Sequence, residues 1–128
     1  QGRAGWPEFA APVWGGNYTN PYGTALTATV KRADGAAHQS PALLGGLDAF
    51  TSTTAGGSLY KVSPLASGTA VLLVGAVDGQ TPEPVAWTFQ RADGGKSFYT
   101  SLGHVDDFRG DLLPRLLVNA IAWSLESR

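Results

Sequence analysis

The stretch "PVAWTFQRADGGKSFYTSLG", Pro84 to Gly103, does most to decide the fold of this chain. Apolar and polar side chains alternate on both sides of its centre, which is the period of a strand with one covered face. The residues between the two runs, "RADGG" at 91–95, contain the Asp-Gly pair that is typical of a tight hairpin turn. The stretch therefore predicts two antiparallel strands, the first with Val85, Trp87 and Phe89 in phase on one face.

Two runs upstream also have the character of strands. "TAVLLVGAV", Thr69 to Val77, is continuously apolar, which predicts a central strand covered on both faces. "TALTATVK", 24–31, alternates Leu26, Ala28 and Val30 with polar residues, which predicts one covered face. The polar, glycine-rich connection between these runs is expected to hold only a short strand, around 59–62.

The period changes at the end of the chain, where the apolar residues recur at the three-and-four spacing of an amphipathic helix. Asp111 is the expected N-cap, and the start of the chain, over 6–14, suits a short helical turn or an irregular entry better than a long helix. Strands with covered faces, a hairpin and a C-terminal helix indicate an α/β layered fold in one domain, 1–128. The predicted core face of the helix consists of Leu113, Leu116, Leu117, Ala120 and Ile121.

Composition narrows the classes of function. Nine basic and ten acidic residues give a formal charge of −1 without any basic run, so we expect neither nucleic acid nor a membrane surface as a partner. The chain has no cysteine, which excludes disulfides, thiolate metal sites and a cysteine nucleophile. No apolar run has the length of a membrane span, so we expect a soluble protein, in a compartment that the sequence leaves open. Methionine is absent even at position 1, which indicates a processed or excised chain.

His104 is the first candidate for chemistry. It follows Gly103 at the end of a predicted strand, where side chains emerge at the rim of a sheet, and an imidazole there can act as acid or base near neutral pH. Asp106 or Asp107 could orient it. The alternative is that an aspartate caps a helical turn and His104 only hydrogen-bonds to it. Ser101 is a poor nucleophile for His104, because strand alternation places the two on opposite faces.

A second candidate is the loop "GGNYTNPYG", 15–23, which groups amide and hydroxyl side chains with aromatic rings. This combination suits a sugar, whose ring faces stack on aromatics and whose hydroxyls need directional partners, although ordinary loop composition explains it as well. We predict no cofactor; a divalent metal stays open, although His38 and His104 lie far apart in the chain. The expected binding residues are Asn17, Tyr18, Tyr60, Tyr99 and Ser101.

Six segments, in order, resemble the C-terminal part of the trehalose-utilisation (ThuA-like) family: "WPEF", "GGNY", "SLYKVSPL", "EPVAWTF", "SFYTSLGHVDDF" and "LLVNAIAWSLE". The resemblance spans 6–126 and is most specific over the last two segments. It implies a flavodoxin-like sheet related to class I glutamine amidotransferases, with His104 near the place of their histidine. Glutaminase chemistry is not implied, because the cysteine is missing.

The family is associated with bacterial catabolism of disaccharides and keto-sugars, so the resemblance implies a carbohydrate-related protein that acts on or binds such a sugar, with His104 as acid or base. Two alternatives are a minimal hydrolase of activated esters or phosphoesters, with or without a metal, and a non-catalytic binding or assembly domain. The chain departs from the family in the loop after "GGNY", which often holds a histidine and here has Thr19, Asn20 and Pro21.

The family's N-terminal half has no counterpart in this sequence. Its absence is expected to leave strand 69–77 with an unpaired edge or an uncovered face, which is a site for association. We therefore expect a homo-oligomer, in which two copies supply the missing layer to each other.

Overall fold

The computed structural model describes residues 10–23 and 26–126. The predicted helical turn near the start is present as a π-helical turn at Ala10–Trp14. Its first residues, 6–9, and the first two residues of the strand predicted over 24–31 lie outside the described part.

The described residues form a mixed α/β structure. Its elements are β1 (Asn20–Pro21), β2 (Thr29–Arg32), α1 (Ala36–Gln39), β3 (Ser52–Thr54), β4 (Tyr60–Lys61), β5 (Thr69–Ala76), β6 (Glu83–Gln90), β7 (Lys96–Thr100) and α2 (Leu112–Leu125). Five strands form one sheet with the order β3-β2-β5-β6-β7, and a separate two-stranded pair joins β1 to β4. The strand pairs of the described residues are all antiparallel. A 3₁₀ helix, Val105–Arg109, links the sheet to α2.

The predicted hairpin is confirmed as β6 and β7. Trp87 pairs with Tyr99 and Thr88 with Phe98, and the Arg91 N–H donates to the Gly95 carbonyl over 2.9 Å to close the turn. The mixed α/β class with a C-terminal helix is likewise confirmed. The described strands pair antiparallel, and the flavodoxin-like layering of the sheet stays a prediction.

β5 is the central strand, as its apolar run predicts. It pairs with β2 on one side and β6 on the other, so the expected unpaired edge is wrong for this strand. Leu72 and Leu73 are both fully buried, but the C-terminal end of β5 is covered on one face only. The opposite face opens into a cleft of about 470 Å³. The cleft is lined by Thr29, Lys31, Arg32, Ala33, Asp34, Val74, Ala76, Asp78 and Pro82.

α2 begins after Asp111, as predicted, although the Asp111 side chain makes no capping hydrogen bond. The spacing identifies its core face correctly at Leu113, Leu116 and Ala120, which are at most 5% exposed. Ile121 is 62% exposed, so its predicted place in the core is wrong. No helix of the described residues is both long and apolar enough to cross a bilayer.

The hairpin separates two apolar clusters, because neighbouring residues of a strand point to opposite faces. Phe98 packs against the larger, aliphatic cluster, which α2 helps to build. Tyr99 packs against the smaller, aromatic cluster. The smaller cluster contains Val62, Trp87 and Phe89, with Tyr60, Leu65, Ala66 and Tyr99 around them.

Polar side chains fasten α2 to the rest of the fold. The Lys96 ammonium donates to the carbonyls of Trp123 and Glu126 over 3.2 and 3.4 Å and lies 5.0 Å from the centre of the Trp123 ring. Asn119 donates to the carbonyls of Leu43 and Gly45 over 3.0 and 2.8 Å. The helix is therefore bound to the hairpin at its end and to the 43–45 loop in its middle.

Candidate functional site

His104 lies at the strand end that the sequence predicts, and it caps the 3₁₀ helix that follows. Its Nδ1 accepts a hydrogen bond from the Asp106 N–H over 3.2 Å. An imidazole nitrogen that accepts carries no proton, so the neutral ring has its proton on Nε2. Neutral His104 can therefore offer a ligand an N–H donor from a side chain that is 43% exposed.

Asp106 gives His104 a second bonding mode. Its Oδ2 lies 3.5 Å from Nδ1, and its Oδ1 lies 3.2 Å from Nε of Arg109. Nδ1 cannot accept from the Asp106 N–H and donate to the Asp106 carboxylate at once. Protonation of the ring therefore exchanges the cap for an ion pair, whose worth is small because the Asp106 side chain is 49% exposed.

The Asp107 carboxylate binds backbone N–H groups and not the imidazole. Its Oδ2 accepts from the N–H groups of Gly103 and His104 over 2.9 and 3.0 Å, and its Oδ1 accepts from the Gly56 N–H over 2.7 Å. A carboxylate that binds three backbone donors is an anchor between the strand end and the loop after β3. Of the two aspartates, only the Asp106 carboxylate faces the imidazole.

A glycine pair forms the wall beside the ring. A Cβ atom at Gly56 would lie 2.5 Å from Nδ1 of His104, and one at Gly57 would lie 3.8 Å from its Cβ. Position 56 therefore has no room for a side chain unless the imidazole moves. The sequence does not distinguish this pair as functional, because a glycine pair in a polar loop also suits an ordinary turn.

Three of the predicted binding residues form one aromatic group. The rings of Tyr18 and Tyr60 meet edge to face at 5.1 Å, and Tyr99 stacks on Trp87 at 4.1 Å. Burial raises the pKa of Tyr99, and the nearby Tyr60 raises it further. Tyr18 is 57% exposed, so its ring is accessible to a ligand.

Asn17 lies next to this group, on a separate cleft of about 360 Å³ that Thr19 and Ser63 also line. Ser101 is placed elsewhere: its N–H continues the sheet by donating to the Val85 carbonyl over 3.0 Å. The structure thus brings Asn17 and the three tyrosines to one region and His104 with Asp106 to another, the end of the sheet.

Sequence reasoning missed one polar residue that supports the aromatic region. Glu83 is 5% exposed, and its Oε2 accepts from the N–H groups of Val62 and Ser63 over 3.1 and 3.0 Å. It thereby holds the segment that forms one side of the Asn17 cleft. A lone glutamate before the proline of a predicted strand carries no spacing signal that could have revealed this contact.

No group of three or more His, Cys, Asp or Glu side chains that could hold a metal ion occurs within residues 10–23 and 26–126. His104 has Asp106 as its acidic neighbour there.

The architecture defines a class: an antiparallel five-stranded sheet that ends in a capped turn and a C-terminal helix. A solved structure of a protein from Bacteroides uniformis, provisionally described as ThuA-like, has this fold, with a TM-score of 0.63 and 20% identity. The match covers 94% of this chain and 51% of that one, so this chain spans about half the length of its structural neighbour. No family model and no curated protein matches the chain.

Proposed function

We propose that this chain is a carbohydrate-related protein of the ThuA-like type, which binds a sugar or keto-sugar at the aromatic region and uses His104 as an acid toward a part of the sugar that extends to the end of the sheet. The observation that carries the proposal is the contact between the rings of Tyr18 and Tyr60, with Tyr18 largely exposed and its chain neighbour Asn17 on a cleft. The ThuA-like structural neighbour supports the fold on which this reading depends.

Sugar binding requires an apolar ring face and directional polar groups close together. The Tyr18 ring supplies the face, and Tyr60 holds it by its edge contact. Asn17 supplies an amide that can both donate to and accept from sugar hydroxyls. A molecule of this kind carries no charge, which agrees with a chain whose formal charge is −1.

The role of His104 follows from its two bonding modes. With Nδ1 taken by the Asp106 N–H, the neutral ring donates through Nε2 and can polarise a carbonyl or hydroxyl oxygen of the sugar. With the ring protonated, the Asp106 carboxylate holds Nδ1–H and Nε2–H becomes a proton donor. Both modes make His104 a donor toward the ligand, which favours an acid role over a base role.

Binding is tested by titrating the protein with trehalose and with a keto-disaccharide, using tyrosine and tryptophan fluorescence and calorimetry. We expect Tyr18→Ala to weaken binding by about tenfold or more, equivalent to about 1.4 kcal/mol, because the stacking face is lost. Tyr18→Phe keeps that face and should bind like the parent. No binding of either sugar at millimolar concentration, or equal affinity of Tyr18→Ala and the parent, would contradict the proposal.

The His104 role is tested with two variants and any sugar that the first experiment identifies. His104→Ala removes both the imidazole and the cap, whereas His104→Asn removes the imidazole and keeps a capping side chain. We expect turnover to disappear in both variants, with a larger fall in thermal midpoint for His104→Ala. Turnover that survives in His104→Asn shows that His104 acts only as a cap.

A further inference from the structure

α2 has two apolar faces, and only one of them is covered. Leu113, Leu116 and Ala120 face the core, whereas Val118, Ile121 and Leu125 are 60%, 62% and 80% exposed. The exposed residues recur at intervals of three and four, so they form one stripe along the helix, which we call the outer stripe. The helix of a monomer normally turns polar residues to this side.

The polar residues of α2 lie outside the outer stripe. Asn119 binds the 43–45 loop, and the Ser124 hydroxyl donates back to the Ile121 carbonyl over 2.7 Å. The Arg115 guanidinium lies alongside Gly46, within 3.4 Å of the position that a Cβ there would occupy. None of these side chains interrupts the outer stripe, which leaves it suited to another apolar helix face.

The charges at the two ends of the stripe are opposite. Arg115 lies one turn before Val118, and Glu126 follows Leu125. Neither makes an ion pair with another residue of the described ranges. Asp111 lies beside Arg115 at the start of the helix, so the complementary pair is specific: when two copies of α2 run antiparallel, Arg115 of one copy lies toward Glu126 of the other.

A groove beside Val118 provides the matching shape. It has a volume of about 470 Å³ and is lined by Gly46, Asp111, Pro114, Arg115 and Val118. In the antiparallel arrangement the most exposed residue of the stripe, Leu125, reaches the same level as Val118 of the other copy. The groove is therefore where Leu125 of a second copy would pack.

We propose that a second copy of this chain binds the outer stripe, with the two α2 helices antiparallel across a two-fold axis, Leu125 in the groove of the other copy and Arg115 paired with Glu126. α2 is about 21 Å long at 1.5 Å per residue, so the contact is smaller than the roughly 800 Å² per partner of a standard interface. A contact of this size makes a weak dimer, which we expect at concentrations on the order of 100 µM.

Sedimentation velocity and light scattering from about 5 µM to about 1 mM span the Kd expected for so small an interface. The parent should pass from monomer to dimer across this range, and Ile121→Glu should stay monomeric. Ala76→Glu adds the same charge to the open cleft beside β5 and should dimerise like the parent. Circular dichroism checks that Ile121→Glu remains folded, as the exposure of this position predicts.

A charge exchange tests the orientation. Arg115→Glu and Glu126→Arg should each weaken the dimer, and the double variant should restore it. A parent that stays monomeric at 1 mM overturns the proposal. So does a dimer that Ala76→Glu abolishes and Ile121→Glu does not, which would place the second copy on the sheet. Single variants that weaken the dimer without rescue by the double variant overturn the antiparallel pairing.

Discussion

The two faces of the β6–β7 hairpin are built in different ways. On one face Phe98 joins an aliphatic cluster that regular elements enclose, α2 above all. On the other face Trp87 and Tyr99 are covered by irregular segments that hydrogen bonds hold in place, such as that from Nε1 of Trp87 to the Trp14 carbonyl over 2.6 Å. Apolar packing therefore supports the helical face, whereas single polar contacts support the aromatic face and leave its tyrosines partly accessible.

The largest expected effect lies on the helical face. Leu116 is fully buried, and Leu116→Ala should lower the free energy of unfolding by about 3 kcal/mol, because it removes packed atoms and leaves a cavity. Leu125→Ala on the same helix changes an 80% exposed residue and should cost less than about 0.5 kcal/mol in dilute solution. Urea unfolding measures both. Equal costs would mean that α2 does not pack as described.

On the aromatic face the corresponding position is Glu83. Glu83→Ala should cost about 2 kcal/mol, since it leaves the buried N–H of Val62 and the partly buried N–H of Ser63 without their acceptor. Glu83→Gln keeps an acceptor oxygen and should cost less. The same unfolding experiment decides, with the exposed Glu126→Ala as control. A Gln variant as unstable as the Ala variant would show that the negative charge matters more than the acceptor.

A smaller loss is expected for Trp87→Phe. The Trp14 carbonyl loses its donor while most of the stack on Tyr99 remains, so the cost should be about 1–2 kcal/mol. Trp123→Phe provides the comparison, because the Trp123 side chain makes no hydrogen bond within residues 10–23 and 26–126. Denaturant titration of the two variants should rank Trp87→Phe as the less stable. The reverse order would contradict the stabilising role of the hydrogen bond from Trp87 to the Trp14 carbonyl.

The smallest effect concerns alkaline pH. Burial raises the pKa of Tyr99 above its ordinary value of 10.0, so the unfolded chain loses this proton at lower pH than the folded one. The contribution of Tyr99 to stability is therefore constant below about pH 10 and falls as the pH rises from there through the folded pKa. Tyr99→Phe should lose less stability than the parent over this window. Parallel curves in alkaline urea titrations would contradict the burial of this hydroxyl.

The elements that sequence predicts well are those whose signal is local. The Asp-Gly turn and the flanking alternation fix the hairpin, and the apolar run of 69–77 fixes the central strand. β3 is missed because it is three exposed residues, Ser52–Thr54, whose pairing with β2 depends on the fold around it. Ile121 is assigned to the core because a spacing of three and four fits both faces of a helix that is apolar nearly all round.

The same distinction between local signals and contacts with distant parts of the chain applies to the candidate site. Aromatic residues in a polar loop point to Tyr18, and Tyr60 and Tyr99 join it in space. From spacing alone, an aspartate could either cap the helical turn or orient the imidazole of His104. The structure contains both geometries: Asp107 accepts from the His104 N–H at the start of the turn, and the Asp106 carboxylate faces the ring. Glu83 and Gly56 could not be predicted, because their partners lie in distant parts of the sequence.

The contact of Lys96 with the end of α2 has a consequence for cooperativity. Its ammonium binds the last carbonyls of the helix, which are the groups that otherwise fray first, and it does so from the first residue of β7. The last turn of the helix and the second strand of the hairpin should therefore open together, as one unit in native-state hydrogen exchange. In Lys96→Ala the amides of that turn would exchange ahead of those of the strand, so the last turn of α2 and β7 would no longer open as one unit.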